Sequence, residues 1–303
     1  MYDLIIVGSG PAGLTAAIYA RRAEKTVLVI EKETFGGEIT HSPKVENYPG
    51  FAELSGNELA EKLLEQAMGL GAEIEMDTIT GVEGQGPFTV RGENANYEGK
   101  TLIIASGSKH RRLGVPGEEE LTGNGVSYCA VCDGPFYKGR SVAIIGGGNS
   151  ALQQAVMMSE YCTKVTVCQN LDFLTGEKKL QDILATRDNV EIIYGVTVDH
   201  LEGDEELSAV VLNKTATGEK ITVKPDGLFV AVGQAPENEP FKSVCDLDDW
   251  GYIVSDESCT TKTAGVYAAG DCRTKSIRQI VTATGDGAVA ALAACRYVDE
   301  QGN

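Results

Sequence analysis

The sequence predicts an α/β protein of two similar domains, the first discontinuous and the second inserted into it. Three observations predict this. A strand, a glycine-rich turn, a helix and a second strand follow one another at the N-terminus. The same series returns about 138 residues later, as an internal duplication would place it. Strand and helix patterns near the C-terminus then finish the first series. The 303 residues exceed one ordinary core, and the expected division is 1–113, 114–242 and 243–303.

The first strand is DLIIVG (3–8), followed by GSGPAG (8–13), a helix in PAGLTAAIYARRA and a strand in TVLVIEK (26–32). Glycines in such a turn let the backbone approach a pyrophosphate and the helix pack on the strand. Glu31 stands 23 residues after Gly8, where an acid would take a ribose hydroxyl. Gly8, Gly10, Gly13 and Glu31 thus mark a dinucleotide site. EIEMDTITGVEG and PFTVRG read as inserted β-structure, and KTLIIASGS (100–108) as a buried strand ending in small residues. KHRRLGVPGEEE, polar with Gly and Pro, suits a domain crossing. SVAIIGGGNSALQQAVMMSEYCTKVTVCQN (141–170) repeats the opening pattern with G-x-G-x-x-A. After DGLFVAVGQAPENEP (226–240) the chain crosses back, and GVYAAGDC (265–272) and QIVTATGDGAVAALAACRYV (279–298) complete the first domain. Both domains therefore read as Rossmann-like, three-layer ββα, dinucleotide-binding folds.

A formal charge of −18 disfavours nucleic acid and anionic membranes as partners. No run of about 18 apolar residues is present, so no membrane span is expected. The N-terminus opens directly on a strand pattern, without a charged leader or cleavage site, which is the start of a cytoplasmic protein. Six of the eight cysteines are scattered and read as small buried hydrophobes. Cys129 and Cys132 form a C-x-x-C. Two cysteines so spaced can close and reopen a small disulfide, and a thiolate near a helix start has a lowered pKa. Asp133 follows at once, and a carboxyl beside a dithiol can move the proton that thiol–disulfide exchange requires. Half of a zinc site is the rival reading. No second C-x-x-C exists and the three histidines lie far apart in sequence, so no metal is expected.

GSGPAG, GGEI (36–39), VENYPGF (45–51), ASG (105–107), YCAVCDG (128–134), GGGNSA (146–151), GVYAAGDC and RQIVTATGDGAVAA (278–291) stand in one order. In this the chain resembles the low-molecular-weight flavoprotein thioredoxin reductases over nearly its whole length. The resemblance implies FAD, held by Gly8, Gly10, Pro11, Ala12, Gly13, Glu31, Lys32, Gly37, Glu38, Ile39, Asn47, Ala105, Ser106, Gly107, Gly270, Asp271, Arg278, Gln279 and Ile280. It implies a redox disulfide of Cys129 and Cys132 with Asp133 as acid and base, thioredoxin as substrate, and a homodimer. Small residues from Ala283 to Ala288 can open a helix beneath the flavin.

The resemblance fails at VTVCQN (165–170). NADPH-using members place a histidine and two arginines there and another arginine shortly after; this chain has Cys168, Gln169, Asn170 and Leu174. A 2′-phosphate needs a cationic clamp, and no Lys or Arg occurs between Lys164 and Lys178. NADH needs only an acceptor, but no acid stands at Cys168 or Gln169. The chain is most similar to the branch of the family that takes electrons from reduced ferredoxin. An acidic ferredoxin would need a basic patch here, for which KHRR (109–112) with Lys138 and Arg140 is the candidate. The alternatives are an NADH-dependent or, less favoured, an NADPH-dependent reductase, and a flavoprotein redox sensor without turnover.

Overall fold

The computed structural model describes residues 1–42 and 45–301, with only the backbone at His41. The chain is α/β and divides into two compact units, Met1–Lys109 with Ala235–Asn303, and His110–Gln234. Leu113 and Gly114 belong to the second unit, where both N–H groups donate to the buried Glu118 carboxylate at 2.8 Å. Phe241 belongs to the first and is buried in its core.

The first unit is built on a seven-stranded sheet. Its order is Glu73–Met76, Val27–Glu31, Tyr2–Val7, Asn96–Ile104, Phe88–Gly92 and Ile79–Glu83, with Val266–Ala268 also on Asn96–Ile104. That long strand does two jobs. Its Thr101–Ile104 half runs parallel to Leu4–Val7, and its Asn96–Gly99 half is antiparallel to Phe88–Arg91. Side chains alternate across a strand, so Leu4 and Ile6 enter one core with the helices. Ile5 and Val7 enter another with Phe88 and Val90 of the hairpin.

Helices Pro11–Arg22 and Ile280–Gln301 share the first of these cores. Gly287 lets them touch: a Cβ there would lie 2.2 Å from the Ala12 carbonyl oxygen. The small residues of the last helix thus serve helix packing. Asp286 beside it is buried and accepts from Arg273 Nε at 2.8 Å, Arg273 NH2 at 2.9 Å and Lys275 Nζ at 2.9 Å. Burial raises its pKa, but the hydrogen bonds and charges of Arg273 and Lys275 outweigh this and hold the carboxyl below its usual range. Breaking one side of such a buried cluster strands the other. Asp286→Asn should cost about 3–5 kcal/mol, read as a lower urea midpoint at unchanged slope.

The second unit repeats the plan. Its parallel sheet has the order Val190–Ile193, Lys164–Cys168, Ser141–Ile145, Gly227–Val230 and Val126–Ser127. Val142, Ile144, Val165 and Val167 pack with helix Asn149–Met158. Ala143, Ile145 and Cys168 pack instead with Val210 and Leu212, which belong to the antiparallel sheet of Val196–Glu202, Ala209–Lys214 and Lys220–Val223. All six scattered cysteines are buried. Among the described residues no helix is long and apolar enough to cross a membrane.

Candidate functional site

The first unit gathers its motif residues at one end of the sheet. Gly8 has φ +103°, and a Cβ there would lie 2.2 Å from the Ala105 carbonyl oxygen. The turn therefore reaches the ASG segment only as glycine. Gly10 caps helix Pro11–Arg22 in extended conformation, and a Cβ built on it meets only the Gly36 oxygen, at 3.9 Å. Gly37, opening the short Gly37–His41 helix that carries Glu38 and the buried Ile39, stands against the Gly10 Cα. Ala12 packs against Gly270, and Asn47 Nδ2 donates to Gln279 Oε1 at 3.2 Å, one residue before the last helix starts at Ile280. Glu31 is buried. Its Oε2 accepts from the Ser9 N–H at 2.8 Å and hydroxyl at 2.7 Å, and its Oε1 from the Lys32 and Glu33 N–H groups. Lys32 directs its ammonium to Glu237 and Glu33.

Asp271 is the most telling of these residues. It sits in the Gly270–Cys272 turn, whose Gly270 N–H is held by Asp286 Oδ2 at 2.9 Å. Its Oδ1 is buried and has no hydrogen-bond partner. Burial pushes its pKa up to about 6, against the pull of Lys275 and Arg278. A buried, unpaired carboxyl oxygen is costly unless a ligand hydroxyl meets it. With the opening at Gly10 and the free N–H groups of a twelve-residue helix, the residues fit a bound dinucleotide. Several supports escaped the motif reading. Asn238, buried, accepts from Ser106 Oγ at 2.9 Å and donates to the Cys272 carbonyl at 2.8 Å, tying the Ala105–Gly107 turn to the Gly270–Cys272 turn. Tyr252 carries the Arg278 guanidinium 4.1 Å above its ring, while that guanidinium donates to the Asp271 and Arg273 carbonyls. Asn238 lies in the stretch where the chain crosses back, and Tyr252 in none of the motifs.

In the second unit Cys129 and Cys132 form a disulfide, with Cα atoms 5.3 Å apart. Cys129 caps the four-residue helix Ala130–Asp133, and its sulfur accepts from the Cys132 N–H at 3.2 Å. This local N–H is what meets the Cys129 sulfur; so short a helix contributes little dipole. Asp133 Oδ2 accepts from Ser127 Oγ at 2.6 Å, and Oδ1 is buried without a partner. Burial raises the Asp133 pKa and the Ser127 hydrogen bond opposes the rise. A proton acceptor thus stands beside a reducible disulfide. Among the described residues no group of three His, Cys, Asp or Glu side chains could hold a metal ion.

The glycine loop of the second unit superposes in logic on the first. A Cβ on Gly146 would lie 2.5 Å from the Ala231 carbonyl oxygen, the counterpart of Gly8 and Ala105. The Gly8 N–H meets the Ile30 carbonyl, and the Gly146 N–H meets that of Cys168. Gln169 therefore occupies the place of Glu31, as the matching bonds of Asp77 N to the Glu31 carbonyl and Val196 N to the Gln169 carbonyl confirm. Its side chain is 4% exposed, donates to the Phe173 carbonyl at 3.0 Å and accepts from the Asn170 N–H at 3.1 Å. A Cβ on Gly147 would strike it at 2.4 Å. Cys168 is core, its thiol pushed by burial to about 12.

Paired nucleotide folds with a reducible disulfide on the second define a disulfide oxidoreductase that works through a bound dinucleotide. Sequence comparison agrees, since residues 2–287 match the family described as Pyridine nucleotide-disulphide oxidoreductase. The chain belongs to that family and, within it, to the low-molecular-weight thioredoxin reductases, for which a flavin is the implied cofactor. It is 43% identical to the thioredoxin reductase of Listeria innocua serovar 6a over 99% of this chain and 95% of the relative. It is 42% identical to the 34.2 kDa protein in the rubredoxin operon of Clostridium pasteurianum, over 98% and 97%. The crystal structure of thioredoxin reductase from Streptococcus pyogenes MGAS5005 matches with TM-score 0.93 and 40% identity, over 99% of both chains.

Proposed function

We propose that this chain is an FAD-dependent thioredoxin-disulfide reductase that receives its electrons from a reduced ferredoxin. The observation that carries the choice of donor is Gln169. It stands where the first unit has Glu31 and is buried and locally hydrogen-bonded as that residue is, but it is a neutral amide in place of a carboxylate. A ribose 2′-phosphate would meet no cation there, and a free ribose would meet no carboxylate. The exposed Arg111, Arg112, Lys138 and Arg140 of the second unit supply positive charge for an acidic protein donor; Lys109 is paired with Glu33.

When bound, FAD supplies the two electrons that open the Cys129–Cys132 disulfide. The chain's own residues do the rest. Gly8, Gly10, Gly13, Glu31 and Asp271 bind the cofactor, and Arg278 is held over Tyr252 to orient it. One thiolate of the opened pair attacks the thioredoxin disulfide, and the other cysteine resolves the mixed disulfide. Asp133 takes and returns the protons.

Anaerobic mixing with each donor tests the reading. Reduced ferredoxin is expected to bleach the flavin absorbance and to support thioredoxin reduction, while NADPH, without a cationic clamp for its 2′-phosphate, and NADH, without a carboxylate for its ribose, bleach it at least about 100-fold more slowly. Fast bleaching by either nicotinamide would overturn the choice of donor. The intact Gly146–Gly148 turn makes NADH the second reading. Bleaching by ferredoxin without thioredoxin reduction would instead leave a redox sensor.

A further inference from the structure

Ser127 lies two residues before Cys129, in the short strand Val126–Ser127. It is buried, and its hydroxyl serves as both donor and acceptor. It donates to Asp133 Oδ2 at 2.6 Å and accepts from the Cys129 N–H at 3.1 Å. A hydroxyl has one hydrogen. With a backbone N–H on its acceptor side, that hydrogen is committed to the carboxylate. The turn is closed by its backbone as well, since the Cys132 and Asp133 N–H groups both reach the Cys129 carbonyl, at 3.2 and 3.0 Å. The Asp133 carboxyl is therefore gripped at one oxygen, and its other oxygen is buried and free.

We propose that Ser127 is the positioning residue for proton transfer at the dithiol, fixing the Asp133 carboxyl against the Cys129 backbone and leaving Oδ1 to give and take the proton. This rests on the reading of Asp133 as acid and base. The first thiol gives its proton to the Asp133 carboxylate and attacks the thioredoxin disulfide. One S–S bond forms, one breaks, and the leaving thiolate takes the proton back. The second thiol repeats the transfer, closes the Cys129–Cys132 disulfide and releases the second thioredoxin thiolate, which is protonated in turn. Two electrons and two protons pass to thioredoxin, and Asp133 ends as the carboxylate.

The groups around Asp133 point the same way. Cys129 and Cys132 share its turn. Tyr137, in the 3-10 turn Gly134–Tyr137, has its hydroxyl pKa raised by burial and by the Asp133 charge. The Tyr161 hydroxyl, against Gly134, is pushed by burial to about 12. Both tyrosines stay neutral across the working range. Of the influences on Asp133, burial favours the acid and Ser127 favours the carboxylate. Without that hydroxyl, the carboxyl stays protonated to higher pH.

The test is single-turnover reduction of a purified bacterial thioredoxin by dithionite-reduced holoprotein, followed from pH 5 to 9 for wild type, S127A, S127T and D133N. In S127A the limiting rate is expected to fall roughly tenfold, part of what general acid–base catalysis contributes. Its half-saturating thioredoxin concentration should not change, and the Asp133 inflection should move to higher pH, since the Ser127 hydrogen bond that favours the carboxylate is gone. S127T keeps the hydroxyl and should restore rate and inflection together. An S127A profile equal to wild type overturns the proposal, provided D133N loses both rate and inflection. A wild-type profile in D133N would refute the acid–base reading itself. If S127A does not fold, S127T decides: loss of rate and inflection with the hydroxyl kept, as in D133N, overturns the proposal, and a wild-type profile supports it.

Discussion

Cys132→Ser is expected to leave flavin reduction within about twofold of wild type while thioredoxin reduction falls by more than about 10³-fold, the scale of losing a covalent nucleophile. The split follows from where the residue stands. Cys132 belongs to the second unit and shares a four-residue helix with Asp133; every flavin contact inferred above belongs to the first. Serine matches the thiol in size, so the turn should survive. It cannot form a disulfide, so electrons reach the flavin and stop. Stopped-flow bleaching of the flavin and a coupled thioredoxin assay on the same preparation separate the two steps. Turnover above about a hundredth of wild type would remove the dithiol from the path.

Asp271→Asn should act in opposite directions on the cofactor-free and cofactor-bound protein. Burial lifts the Asp271 pKa to about 6 in the folded chain, above the ordinary aspartate value of 3.8. A carboxyl whose folded pKa is raised favours folding fully below its unfolded pKa, and that benefit is lost as pH rises through the folded pKa. Above pH 6 the cofactor-free protein thus carries a largely buried carboxylate whose Oδ1 has no hydrogen-bond partner, at a cost of up to about 3 kcal/mol. Asparagine removes that cost. Cofactor-free Asp271→Asn should melt higher than wild type at pH 7.5, with the difference vanishing near pH 4. The same change takes the charge from an acceptor for a cofactor hydroxyl, so FAD affinity should fall by about tenfold or more. Thermal melts at the two pH values, with and without added FAD, read both effects. An unchanged affinity would detach Asp271 from the cofactor.

Much of this molecule is legible from spacing alone. The Gly8–Gly13 turn, Glu31, the second glycine loop and the Cys129–Cys132 pair lie within short local units, where a few backbone angles and one helix start decide the geometry. The Asp286 cluster was less legible. Asp286 lies within RQIVTATGDGAVAA, but nothing local indicates that Arg273 and Lys275 close on its carboxylate, because that depends on the last helix pressing against Ala12. Tyr252 and Asn238 were silent for the same reason, since their partners lie 13 or more residues away in sequence.

VTVCQN marks the division between the two kinds of knowledge. The sequence by itself determined that the cationic clamp is missing, because charge is a property of composition. Only the tertiary structure decided what Gln169 does instead. The strand end brings it into the place of Glu31, and close packing on Gly147 buries it and turns its amide onto Phe173 and Asn170. Ser127 falls on the same side of that line: a serine near a cysteine says little until the fold sets its hydroxyl between the Cys129 N–H and the Asp133 carboxylate. Hydrogen bonds are directional and reach about 3 Å, and such distances are fixed only when the whole chain has packed.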